Sequence, residues 1–303
     1  MPSPREAHPE LQELMDQTTE AVNKTISRLL PAEEGLAEAR LYDAMRHGVL
    51  NGGKRLRPLL LLESAKLFNV DLARARRVGA AIEFMHSYSL IHDDLPAMDD
   101  ADLRRGEPSV HKAYDEATAI LAGDALQALA FEVLAQPETH EDPRVRVELV
   151  SALAKAAGGH GMCGGQMLDM IGEEEDFGIG TISRMQRMKT GMLIAFACEA
   201  GAILGKSDEP RRKALRSYAF DLGMAFQVTD DILDVESTTE ELGKDSGKDD
   251  AAGKSTFVTT LGKDQAKMRA EMLVQQAIRH LHPFGDRADT LKDIALYVLK
   301  RRA

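Results

Sequence analysis

Two adjacent aspartates followed by a third carboxylate occur twice in this chain, as DDLPAMD (Asp93, Asp94, Asp99) and as DDILD (Asp230, Asp231, Asp234). A fold that gathers six like charges needs cations to offset them. If residues 218–235 are helical, Asp230 and Asp234 lie four apart, about 40° from alignment on one face. Gln227 and Gly223 continue that stripe backwards, so one face carries an amide and two carboxylates where a core stripe would be apolar. The first cluster begins in the same way, with His86, Leu90 and Asp93 on one stripe of the apolar run AAIEFMHSYSLIHDD. Pro96 has no amide hydrogen to donate and interrupts the helix, so Asp99 must return from a loop or distorted turn.

Around these clusters the pattern is helical almost throughout, rich in Ala, Leu, Met, Glu and Arg with apolar residues at three and four spacing. Helices are expected over 10–30, 39–50, 56–68, 74–93, 115–135, 144–157, 181–204, 211–235 and 263–281. The breaks fall at PAEEG, QPETHEDP, GEEEDFGIG, GKSDEP and HPFGD, where turn chemistry places them. This is an all-α chain with mostly short connections, and no composition shift marks a boundary within 1–303. It reads as a single domain. The exception among the connections is 237–255, a polar, glycine-containing stretch directly after DDILD, placed to close over a ligand.

A formal charge of -11 argues against a nucleic-acid partner and leaves any role of Lys and Arg to local clusters. Two cysteines, Cys163 and Cys198, form neither a disulfide framework nor a zinc spacing, which suits a reducing, cytoplasmic setting. The N-terminal segment has no apolar signal region. The apolar stretch MLIAFACEAGAIL is too short to span a bilayer and carries Glu199, so it reads as a buried helix and no membrane span is expected.

Five further motifs lie among the carboxylates: GGKRLRP (52–58), LRRGEPSVH (103–111), GQMLD (165–169), KTGML (189–193) and FQVTDDILD (226–234). In this order and combination they resemble the trans-polyprenyl diphosphate synthases, and within them the bacterial farnesyl-producing group, from about residue 40 to the C-terminus. The resemblance implies an isoprenoid synthase-type helical bundle around a central cavity with the aspartate clusters at its mouth. It implies a Mg²⁺-dependent prenyltransferase joining dimethylallyl or geranyl diphosphate to isopentenyl diphosphate by ionisation, condensation and elimination, and a homodimer.

Residue by residue, the resemblance implies three Mg²⁺ ions bridging the allylic diphosphate to Asp93, Asp99 and Asp230, with Asp94, Asp231 and Asp234 in support. Lys54, Arg57, His86 and Arg105 match residues that bind isopentenyl diphosphate. Arg104, Lys189, Lys244 and Lys254 match contacts of the allylic diphosphate. Thr190 and Gln227 turn oxygen dipoles toward the developing cation, and Asp169 orients Lys189. The catalytic group is thus Lys189, Thr190 and Gln227. In the farnesyl-producing members an aromatic residue five positions before the first aspartate sets product length. Here it is Tyr88, about 7.5 Å down a helix axis from Asp93, implying a fifteen-carbon product.

Blander readings attach to each piece alone. An aspartate pair is commonly a helix cap, GGKRLRP an ordinary helix start, His86 a satisfied core histidine, and Lys244 or Lys254 a solvated loop residue. GKDDAAGKS imitates a phosphate-binding loop, but Lys248 stands where the first glycine belongs and no strand precedes it. DDADLRRGE misses the EF-hand pattern, with Arg104 at a ligand position. The competing functions are a geranylgeranyl or geranyl diphosphate synthase, a terpene cyclase, which needs no second-substrate site, and a non-catalytic helical partner subunit.

Overall fold

In the computed structural model the residues described are 9–33, 35–172, 175, 177–236 and 256–300. Their backbone contacts cluster into two compact units: a first of Met1–Gln12, Glu63–Asn69 and Ser151–Ala303, and a second of Glu13–Leu62 and Val70–Val150. The architecture is all-α, as the periodicity predicts. The helices are α1 (Pro9–Leu29), α2 (Ala39–Leu50), α3 (Leu56–Lys66), α4 (Leu72–Asp93), α5 (Val110–Ala113), α6 (Glu116–Ala135), α7 (Pro143–Ala157), α8 (Met162–Ile171), α9 (Ile179–Gln186), α10 (Met192–Leu204), α11 (Glu209–Glu236), α12 (Phe257–Leu261), α13 (Lys263–His280) and α14 (Asp289–Lys300).

In the second unit, α4 packs on α6. Asp71 caps α4 by accepting the N–H groups of Ala73 and Arg74, and Asp115 caps α6 by accepting that of Thr118. Ile82, Phe84 and Met85 of α4 and Leu126 and Ala130 of α6 are fully buried. At Gly123 of α6 an added Cβ would stand 2.1 Å from Nε2 of His92 on α4. Among the described residues, α6 is the one helix long and apolar enough to cross a membrane, a property the sequence reading assigned to none; 39% of its apolar window is buried.

In the first unit, α11 packs on α10 and α13. The stretch MLIAFACEAGAIL forms α10 and is buried apart from Met192 and Glu199, as expected. Burial pushes the Cys198 thiol up to about 12, so it remains a protonated core residue. Tyr218, fully buried on α11, donates its hydroxyl to the carbonyl of Leu291 on α14 at 2.7 Å.

The structure departs from the expected helices at several points. The span 181–204 is not one helix: α9 and α10 are separated by a π-helical turn, Arg187–Gly191. An extra residue in the turn re-aims the side chains there, a feature that periodicity does not carry. The glycine-rich stretch after α7 forms α8, and the C-terminal stretch forms α14, neither of which was assigned. Finally, LRRGEP forms a two-residue hairpin, β1 (Leu103–Arg104) and β2 (Glu107–Pro108), the only strands among the described residues.

Candidate active site

The first carboxylate motif lies in the second unit, at the C-terminal end of α4. Helical geometry stops at Asp93, and Asp94 caps the helix with its N–H on Leu90 O at 3.0 Å. The PAMD segment then turns back: the N–H of Asp99 reaches the carbonyl of Asp93 at 2.8 Å, and that of Ala101 reaches Asp94 at 3.1 Å. The return that Pro96 demanded is thus made by backbone hydrogen bonds. Asp93 is half-buried and Asp99 exposed, whereas Asp94 is buried.

Asp94 is turned inward onto Arg104, whose Nε donates to both carboxylate oxygens at 3.0 and 3.2 Å while Nη2 bonds Oδ1 as well. Burial pushes the Asp94 carboxyl up, and Arg104 pulls against that. The hairpin explains why Arg104 and its neighbour part ways. Arg104 pairs with Glu107, leaving Arg105 and Gly106 as the two central residues of a tight turn with φ of 56° and 83°. Arg105 donates to Gly52 O at 2.8 Å, so the LRRGEP hairpin rests on the glycines of GGKRLRP.

Beside that contact stands a nest of positive charge. Lys54 is exposed; Arg57 and His86 are half-buried. Burial first, then the guanidiniums of Arg57, Arg105, Arg55 and Arg104, hold His86 well below the usual histidine range, so its imidazole is neutral at physiological pH. Burial also lowers Arg57 and Arg105, and in both cases Glu83 opposes the fall. Lys54, Arg57, His86 and Arg105 are the four residues matched to isopentenyl diphosphate, and the structure places them on neighbouring elements of one unit. A neutral imidazole among guanidiniums can donate to an anion without adding charge repulsion.

Arg55 and Glu83 are the pair sequence reasoning passed over. Arg55 is 2% exposed and Glu83 also 2%, and Arg55 Nη1 donates to Glu83 Oε2 at 2.6 Å. The available signal was Glu83 itself, a lone carboxylate in the apolar run AAIEFMH, which must be paired if buried. Tyr88, 5% exposed on α4, meets the edge of His92 at 5.8 Å between ring centroids.

The remaining candidates lie in the first unit. Lys189 and Thr190 sit in the π turn, and Lys189 Nζ bonds Asp169 Oδ2 on α8 at 2.7 Å. The two elements touch at Gly165, where an added Cβ would fall 2.2 Å from the backbone nitrogen of Lys189. On α11, Gln227, Asp230 and Asp234 are half-buried along one stripe, whereas Asp231 is 8% exposed and accepts the N–H of Phe257 at 2.8 Å. Lys244 and Lys254 lie outside the described residues.

The donor chemistry fits a hard divalent cation: carboxylate oxygens, with no thiol among them. Among the described residues no three His, Cys, Asp or Glu side chains are gathered into a ready cage.

Comparison with known proteins agrees with this chemistry. The family model described as polyprenyl synthetase matches residues 38–292. The chain is 44% identical over 285 residues to the farnesyl diphosphate synthase of Escherichia coli K12, covering 92% of this chain and 95% of that protein. It is 40% identical over 292 residues to geranylgeranyl pyrophosphate synthase 11, chloroplastic, of Arabidopsis thaliana, covering 95% and 81%. Among solved structures, an FPP/GFPP synthase from Zymomonas mobilis superposes with a TM-score of 0.87 at 47% identity, covering 95% of this chain and 98% of that one. Because the match runs through both aspartate motifs, the GGKRLRP loop, the arginine hairpin and the π turn, the chain belongs to the polyprenyl synthetase family.

Proposed function

We propose that this chain is a prenyltransferase that joins isopentenyl diphosphate to dimethylallyl and then geranyl diphosphate, yielding farnesyl diphosphate. The observation that carries the reading is the neutral His86 among Arg57, Arg105, Arg55 and Arg104 in the second unit. Within it Lys54, Arg57, His86 and Arg105 would hold an anion by basic side chains alone, with Arg55 and Arg104 adding positive charge around them. A condensing enzyme needs this for the substrate that keeps its diphosphate and attacks through its double bond, and a cyclase does not.

Asp93, Asp99, Asp230 and Asp234 are the residues that would hold Mg²⁺, with Asp94 in support on the Arg104 side chain and Asp231 in support on the backbone of Phe257. Bound there, the metal supplies charge neutralisation on the departing allylic diphosphate. The protein's own part is positioning and electrostatics. Lys54, Arg57, His86 and Arg105 fix the isopentenyl diphosphate. Lys189, braced by Asp169, and Arg104 hold the allylic diphosphate, and Lys244 and Lys254 are assigned to the same role. Thr190 and Gln227 present fixed dipoles where positive charge develops, which needs no acid–base dyad. Tyr88 limits the growing tail.

A single catalytic domain over 1–303 belongs to this proposal, supported by a family match that takes in residues of both compact units. So do the homodimer and the cytoplasmic setting, the former checked by sedimentation at micromolar protein.

Incubation with labelled isopentenyl diphosphate, each allylic primer and Mg²⁺, followed by chain-length analysis, tests the reading. Farnesyl diphosphate is the expected product, lost on chelation of Mg²⁺. A twenty-carbon product alone would replace the farnesyl reading with the geranylgeranyl one, and no product under any primer would leave the partner-subunit reading.

A further inference from the structure

We propose that Arg55 and Glu83 are positioning residues for the basic pocket: a buried, charge-compensated hub that aims Lys54, Arg57 and Arg105 without itself touching substrate. The inference rests on the proposal that those residues hold isopentenyl diphosphate.

GGKRLRP carries three basic side chains, and the structure gives the middle one a different job. The Arg55 side chain is 0% exposed, shut away from any ligand. Its guanidinium donates in three directions: Nη1 to Glu83 on α4 at 2.6 Å, Nη2 to the carbonyl of Val49 on α2 at 2.6 Å, and Nε to Asn23 on α1 at 2.9 Å. One planar group thus ties three helices to the loop that carries Lys54 and Arg57. The backbone at Arg55 is left-handed, with φ of 46°, a conformation a side chain other than glycine holds only when its surroundings fix it. Those three bonds supply the fixing.

Glu83 provides the counter-charge. It lies one helical turn before His86 on α4, so the same helix delivers the imidazole and the carboxylate. Arg57 and Arg105 repel each other across the pocket, and the charge of Glu83 opposes that on both. Guanidiniums gathered for a diphosphate push apart while it is absent. A carboxylate buried beneath them keeps them assembled, so less reorganisation accompanies binding. Lysine is a poor substitute at position 55, because an ammonium on a flexible stem lacks the planar fork that reaches three acceptors.

The test compares Arg55→Lys and the double variant Arg55→Met/Glu83→Leu with the wild type, using Arg57→Ala as a reference for the pocket. Removing both partners of the buried pair avoids leaving one charge unpaired, so the double variant is expected to fold. In both hub variants KM for isopentenyl diphosphate should rise at least about tenfold, within the roughly 10²-fold that about 1 Å of misplacement costs. KM for geranyl diphosphate and kcat at saturation should stay within about threefold, a split that general destabilisation does not produce. If Arg57→Ala raises KM for isopentenyl diphosphate and neither hub variant does, the hub is overturned and the pocket stands. If Arg57→Ala leaves it unchanged, the pocket assignment falls and takes this inference with it. Failure of both hub variants to fold would make the pair a stability element and overturn the positioning role.

Discussion

The carboxylate of Asp231 accepts the backbone N–H of Phe257 at 2.8 Å, joining the helix that carries DDILD to the start of α12. Asp230, its neighbour on α11, is turned a further 100° or so around the helix and shares a half-buried stripe with Gln227 and Asp234. Adjacent aspartates in one motif therefore do different work. DDLPAMD repeats the division, with Asp94 turned onto Arg104 while Asp99 folds back on Asp93.

This division predicts how Asp231 responds to substitution. Asp231→Ala leaves a buried N–H unpaired and should cost about 1–3 kcal/mol of stability in denaturant unfolding. Asp231→Asn keeps an oxygen acceptor and should lose less. Equal losses in the two variants would show that the charge, and not the hydrogen bond to Phe257, is what matters.

Gly165 is where α8 meets the π turn. A methyl group there would overlap the backbone of Lys189 at 2.2 Å, so Gly165→Ala should push the turn outward and lower stability by about 1–3 kcal/mol. Asp169→Asn, which keeps the shape but removes the partner charge of Lys189, should instead leave the melting temperature near that of the wild type and raise KM for the allylic diphosphate. Thermal and denaturant unfolding check the stabilities, and steady-state kinetics with geranyl diphosphate checks the KM.

Tyr88 is buried against His92. Tyr88→Ala removes a large ring from a packed site and should cost about 3–5 kcal/mol, while lengthening the product beyond fifteen carbons. Chromatography of the dephosphorylated products reads the second effect directly. A variant that folds and still stops at fifteen carbons would remove Tyr88 as the floor.

His86 predicts a pH dependence of definite sign. Its folded pKa lies below the unfolded value of about 6.5. Its contribution to stability is therefore fully present above that unfolded value and is lost as pH falls through the folded one. A bound diphosphate adds negative charge beside the ring and raises its pKa, so binding at a pH between the ring's free and bound values should be accompanied by proton uptake. Calorimetric titration with isopentenyl diphosphate in two buffers of different ionisation enthalpy measures this. His86→Gln should abolish the uptake.

Much of the architecture was legible because it rests on local rules. Apolar spacing marks α2, α4 and α11 closely, and Pro96 forecasts the end of α4. Other elements were hidden for identifiable reasons. The π turn at Arg187–Gly191 differs from a regular helix by one residue, and its position depends on Gly165 of another helix. The hairpin at LRRGEP is too short for alternation to register. The Arg55–Glu83 pair spans 28 positions, and only one of its members, Glu83 in an apolar run, carried any local sign.

By itself the sequence determined that this chain would be helical, that its carboxylate motifs would ask for hard cations, and that its basic motifs would supply anions with partners. These follow from periodicity, backbone chemistry and charge, which are properties of neighbouring residues. Tertiary structure decided which member of each adjacent pair is turned inward. Asp94 turns inward because Arg104 arrives from a hairpin ten residues on, Asp231 because Phe257 lies 26 residues away, and Arg55 because Glu83 waits on another helix. Side-chain direction along a helix or turn is set by geometry, but the partner that makes one direction worthwhile comes from elsewhere in the chain.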